Sequence, residues 1–137
     1  MSHRFHVLHV EDDDLDALNV QRLMNQCEAV VGITVARDGI EALDLLRSGR
    51  SDLHDLVILL DICMPRMSGL EFLRELRADP DLCHLPVVVL STSDHDDDKE
   101  SAFRFHVAGY LIKAPSPERF RRSLAAFASY WSSSELL

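Results

Sequence analysis

Asp61 closes a run of five consecutive apolar residues, Leu56-Val57-Ile58-Leu59-Leu60. Such a run, with β-branched members, reads as a strand buried on both faces, and burial gives it no reason to end in a carboxylate. In open α/β sheets ligands bind in the crevice beyond the carboxyl ends of the strands, so Asp61 is a candidate functional residue. The plainer alternative is a solvated aspartate capping the turn. Three other strand-like runs also end in residues with chemistry: Glu11 and Asp12 after the first, Ser91 after Val87-Val88-Val89-Leu90, and Lys113 after Gly109-Tyr110-Leu111-Ile112. Each alone has an ordinary use, as dipole compensation, a cap or a solvated charge. Gathered at one sheet edge they form a constellation.

Clustered carboxylates repel one another, which raises a pKa unless a cation sits among them, and hard oxygen ligands with room for water suit Mg²⁺. The first turn lacks the glycine-rich cradle that binds phosphate directly. The expected order is therefore metal first, and phosphate through it. Asp61 can then act as a nucleophile on a phosphoryl group, giving an acyl phosphate. Lys113 would supply a point charge and the Ser91 hydroxyl a hydrogen bond.

Those residues meet only if the elements between them deliver them to one edge. Phe5-His6-Val7-Leu8-His9-Val10 reads as a first strand, followed by an acidic turn and a helix carrying Leu15, Ala17, Leu18, Val20 and Leu23 up to Cys27, with Asp13, Asp14 and Asp16 at its positive end. A second strand covers Gly32-Ile33-Thr34-Val35-Ala36, and a helix from the Asp38-Gly39 turn ends near Gly49. After Asp61, Pro65 stops the strand and Gly69 turns the chain into a third helix, closed by Asp79-Pro80. A fourth strand starts at Pro86, and the acidic stretch from Asp94 to Asp98 reads as a solvated loop before a short helix around Glu100 to Phe105. The fifth strand ends at Lys113, and Phe120, Leu124, Phe127 and Trp131 mark a last amphipathic helix. Strand and helix alternate five times, which implies an α/β fold: a five-stranded parallel sheet, doubly wound, with right-handed crossovers.

At 137 residues the chain is expected to be a single domain, with its core over about 4–131 and a frayed polar tail at 132–137. No segment approaches the roughly twenty apolar residues of a membrane helix, and Met1-Ser2-His3-Arg4 lacks a signal-peptide core. Cys27, Cys63 and Cys83 show no metal-type spacing and fit a reducing compartment, so the expected location is cytoplasmic. A formal charge of −9 disfavours nucleic acid and points to a protein or a cation as partner. His6 and His9 fall on opposite faces of the first strand and cannot share a metal there, and the remaining histidines form no ligand spacing.

The sequence resembles the receiver domain of two-component response regulators over nearly its whole length. The resemblance is carried by Val10-Glu11-Asp12-Asp13, Asp61-Ile62-Cys63-Met64-Pro65 with Ser68-Gly69, Ser91 after its apolar run, and Gly109-Tyr110-Leu111-Ile112-Lys113. It implies a flavodoxin-like sheet of strand order 2-1-3-4-5, with Asp61 phosphorylated by a sensor histidine kinase. It further implies that Asp12, Asp61 and the backbone carbonyl of Cys63 ligate Mg²⁺, that Glu11 reaches the ion through water, and that Ser91 and Tyr110 form the switch. Such a chain assists its own phosphotransfer but has no separate turnover. Its first helix, around Leu18, Gln21, Arg22 and Asn25, would meet the kinase. The last strands and helices would form a homodimer face to which Phe127, Tyr130 and Trp131 contribute. Ser91-Thr92-Ser93, the acidic stretch after it and Arg77-Ala78-Asp79-Pro80 resemble the single-domain receivers that partner bacterial phytochromes.

Two features depart from the family pattern. Lys113-Ala114-Pro115 moves the expected proline by one position, which puts the aim of Lys113 in question. Thr92 stands where receivers often carry Ala or Gly, which implies restricted water access and a longer-lived acyl phosphate. Two rivals remain open: a dehalogenase-type hydrolase, which needs an acid/base Asp where this chain has Cys63, and a receiver-like docking module that takes no phosphate.

Overall fold

The computed structural model describes residues 3–48, 53–64, 66–92, 95–113 and 116–134. Five strands, β1 (Phe5–Val10), β2 (Val30–Ala36), β3 (Leu56–Asp61), β4 (Val87–Ser91) and β5 (Gly109–Ile112), alternate with α1 (Asp14–Asn25), α2 (Gly39–Arg47), α3 (Gly69–Ala78), α4 (Asp96–Phe103) and α5 (Pro117–Ser133). All strands pair in parallel in the order β2-β1-β3-β4-β5. The parallel, doubly wound sheet is as the alternation of strands and helices implies, and its order is the one the resemblance to receiver domains implies.

The two-residue period of each strand splits its side chains between two cores. Phe5, Val7, Val57, Leu59, Val88 and Leu90 pack with Val20 and Met24 of α1 and Leu124 and Ala128 of α5. Leu8, Val10, Ile58, Leu60, Val87 and Val89 pack with side chains of α2 and α3 and with Ala102 of α4. Every residue of β3 and β4 is buried, so the continuous apolar runs mark the central strands.

Local chemistry sets the helix starts. Asp13, Asp38, Ser68 and Ser116 each accept a backbone N–H as N-caps of α1, α2, α3 and α5, and Ser68 forms a capping box with Glu71. Gly69 is required by packing: a Cβ there would stand 2.6 Å from the Asp61 carbonyl oxygen and from the Ile62 Cα. Only glycine lets α3 begin so close to the end of β3.

Several boundaries differ from the sequence reading. The buried stripe of α1 is Ala17, Val20 and Met24, spaced three and four residues apart along one helix face, while Leu15 and Leu18 are exposed. β2 begins two residues earlier, at Val30. The acidic stretch is not a loop before the helix: Asp96, Asp97 and Asp98 form the first turn of α4, where negative charge complements the helix dipole. With Ala102 its one buried residue, α4 carries too little apolar periodicity to announce its start. Helix α5 runs on through Ser132 and Ser133, which the sequence reading placed in the tail. Gly49, Pro65, Ser93, Asp94, Ala114, Pro115 and residues 135–137 lie outside the described residues.

Candidate functional site

The carboxyl ends of the strands converge as the topology requires. Val10 pairs with Leu60 across β1 and β3, so Glu11 and Asp61, each one residue further on, come face to face. Carboxylate oxygens of Glu11, Asp12 and Asp61 lie within 4.8 Å of one another. Glu11 is buried, held by its N–H donating to the Ala36 carbonyl at 2.8 Å. Asp12 is exposed, and Asp61 is 9% exposed. The trio therefore runs from the interior to solvent.

β5 delivers the cation. The Lys113 N–H donates to the Ser91 carbonyl at 2.7 Å, and its ammonium reaches Glu11 Oε1 at 2.6 Å and Asp16 Oδ2 at 3.1 Å. Burial lowers the Lys113 pKa, but the hydrogen bonds to Glu11 and Asp16 and the charges of Asp61 and Glu11 outweigh it, so the ammonium is held above its ordinary value. Burial and the facing Asp61 carboxyl push Glu11 up to about 8 against the pull of Lys113. One ammonium does not compensate three crowded carboxylates. An all-oxygen donor set with that deficit of positive charge fits a hard divalent cation.

The remaining expected residues lie around this centre. Cys63 directs its backbone N–H at Asp61 Oδ1, at 3.3 Å, while its side chain is exposed. Ser91 is buried as the last residue of β4, and strand alternation puts it on the same face as Val89. Tyr110, paired with Val89, is half-buried against that same core. Thr92 is exposed. The expectation that the loop after Lys113 is re-registered falls on Ala114 and Pro115, outside the described residues.

His6 is exposed and His9 buried, on opposite faces of β1 by alternation. Neither ring nitrogen of His9 has a hydrogen-bond partner among the described residues, and Glu11 lies 3.9 Å away. Burial, aided by the Lys113 charge, lowers His9 to about 3 and keeps the ring neutral.

Sequence reasoning missed three residues near the site. Asp16 was one acid in a block, and only the fold singles it out as the partner of Lys113. Asp38 read as part of a turn, yet it is buried and accepts from Nε and Nη2 of Arg66. Nothing in the sequence links positions 38 and 66.

The chain matches the response regulator receiver domain family over residues 7–125. It is 36% identical over 129 residues to the probable methanogenesis regulatory protein FilR2 of Methanothrix harundinacea, covering 93% of this chain and 83% of FilR2. It is 31% identical over 128 residues to the response regulator Rcp1 of Synechocystis, covering 91% and 87% of the two chains. The crystal structure of Mn²⁺-bound Rcp1 superposes with a TM-score of 0.84 over 97% of this chain and 98% of the other, at 29% identity. The phosphorylated cyanobacterial phytochrome response regulator RcpA superposes with a TM-score of 0.88 over the same shares, at 30% identity.

Proposed function

The chain belongs to the response regulator receiver family, and from that premise we propose that Asp61 is the phosphoacceptor of a two-component relay, charged by a sensor histidine kinase. The grouping of Asp61 with Glu11 and Asp12 beside the Lys113 ammonium carries this reading. In the transfer, an Asp61 carboxylate oxygen attacks the phosphorus of the donor's phosphohistidine. The O–P bond forms as the P–N bond breaks, and the imidazole leaves with the electron pair and takes a proton from solvent.

Asp12, Asp61 and the Cys63 carbonyl would hold Mg²⁺, with Glu11 acting through water; the bound ion would neutralise charge on the transferring phosphoryl oxygens. The Cys63 N–H orients the Asp61 carboxylate, and Lys113 offers a charge that can pass from Asp16 to the phosphoryl group. Phosphorylation adds about 1.5 to 2 negative charges at one point. The Ser91 hydroxyl turns toward that charge, and Tyr110, on the same face, follows inward and repacks the neighbouring surface. Thr92 screens the acyl phosphate from water.

The chain assists this single transfer and does not turn over, since Cys63 stands where a hydrolase would need an acid/base carboxylate. The likeness to Rcp1 and RcpA favours a kinase of the bacterial-phytochrome type, met on the exposed face of α1 around Leu18 and Arg22. A homodimer through the β5–α5 face, in the cytoplasm, completes the proposal. No helix among the described residues is long and apolar enough to cross a membrane.

Incubation with Mg²⁺ and a small phosphodonor, followed by mass and by Trp131 fluorescence, tests the reading. An acid-stable, alkali-labile adduct that is absent in Asp61→Asn is expected. Steady release of phosphate would favour a hydrolase instead, and no adduct would favour a docking module.

A further inference from the structure

Arg66 has a φ of 62°, in the left-handed region that a residue with a Cβ seldom enters. Its guanidinium spans from the β3–α3 loop to the start of α2, donating through Nε at 2.7 Å and through Nη2 to a single oxygen, Oδ2, of Asp38. Asp38 is only 5% exposed, and its other oxygen accepts the Glu41 N–H at 2.9 Å as the α2 cap. Burial works against its charge, but the Glu41 N–H and the guanidinium outweigh burial and hold the carboxyl below its ordinary range. A charge-assisted pair with one partner desolvated is stronger than a surface pair.

The next residue makes a second contact between the same two segments. Met67 closes over Gly39 so tightly that a Cβ there would stand 2.8 Å from Sδ and 3.1 Å from the Phe72 Cβ. At its other end the loop is anchored by the Gly69 N–H donating to the Ile62 carbonyl at 2.9 Å and by the close approach of Gly69 to Asp61. Between the two anchors lies Cys63, whose N–H holds the Asp61 carboxylate. The stretch is short and pinned at both ends.

We infer that the Asp38–Arg66 pair is a latch that sets where Arg66 and Met67, and with them Ile62 to Met64, sit, making both residues positioning residues for the Asp61 centre. The inference rests on the function proposed above and adds to it a control exerted from α2. A tolerated left-handed Arg66 is what such a latch requires, since the guanidinium reaches Asp38 from that backbone. Outer-shell contacts of this kind act on a metal centre by fixing the groups that face it.

Two substitutions separate the latch from ordinary stability. Asp38→Ser keeps an acceptor for the Glu41 N–H and removes the carboxylate that holds Arg66. Arg66→Gly cuts the latch while relaxing the backbone. Amide exchange at Ile62, Cys63, Met64, Arg66 and Met67 in metal-free protein, and Mg²⁺ binding by calorimetry well below the melting temperature, are the readouts. Both variants should exchange faster there, with β3 unchanged, and bind Mg²⁺ about tenfold more weakly. The double variant should be no worse than either single one, because they break one unit. Unchanged exchange and Mg²⁺ affinity in both variants would overturn the latch, even with a lower melting temperature. A wild-type chain that binds no Mg²⁺ and forms no Asp61 adduct would remove the functional reading and the latch together.

Discussion

At the scale of single residues, environment separates acids that composition cannot. Asp13 caps α1, Asp14 pairs with Arg37 at 2.8 Å in open solvent, Asp16 takes Lys113, and Asp12 joins the carboxylate trio. Asp38 differs again, because its carboxyl is buried and partnered on both oxygens. Its folded pKa lies below the ordinary 3.8, so its contribution to stability is complete above that pH and is lost as the pH falls through the folded value. Urea midpoints for wild type and Asp38→Ser should therefore differ at pH 6 and draw together below about pH 3.8. A gap that stays constant into acid would show that the Asp38 charge has no part in it.

Among the helices, α4 buries the least. It buries only Ala102, and its C-terminal end is secured from outside by Arg77 of α3. The guanidinium donates to the carbonyls of Phe105 at 2.7 Å, Cys83 at 2.9 Å, Leu85 at 2.7 Å and His106 at 3.3 Å. Burial lowers the Arg77 pKa, yet the group stays a cation, and its planar fork ties the α3–β4 connection to the α4–β5 connection. Removing it leaves several carbonyls without a donor. Arg77→Met keeps the aliphatic stem and should cost about 2–4 kcal/mol in urea unfolding, with Arg77→Lys recovering less than half. A loss under about 0.5 kcal/mol would show that water replaces the clamp.

For the whole molecule, a charge of −9 opposes self-association at low salt, so an apolar face must supply the contact. The three aromatic residues expected at that face differ in exposure. Phe127 and Trp131 are half-buried, packed on the α1/α5 core with ring centroids 5.9 Å apart, and Tyr130 is the one turned outward, 68% exposed. A dimer through α5 should thus depend on Tyr130. Sedimentation at high micromolar protein with Mg²⁺ and beryllofluoride should show a dimer that strengthens with salt, and Tyr130→Arg should return it to monomer. A monomer throughout would remove α5 as the interface.

The strands, their parallel direction and the trio at their tips were legible because each rests on short-range pattern, whereas the strand order followed from the resemblance to receiver domains. Five apolar runs, four of them leading into Glu11, Asp61, Ser91 and Lys113, leave few ways to wind a sheet, and a parallel sheet brings those ends to one edge. Helix α4 was legible only in part, since one buried alanine gives no period to read. Tertiary structure alone decided which of many acids faces Lys113, that Asp38 reaches Arg66, and that Ala17, Val20 and Met24 rather than Leu15 and Leu18 turn α1 to the sheet. Those outcomes depend on distances between segments remote in sequence, and a local pattern of side chains carries no record of such distances.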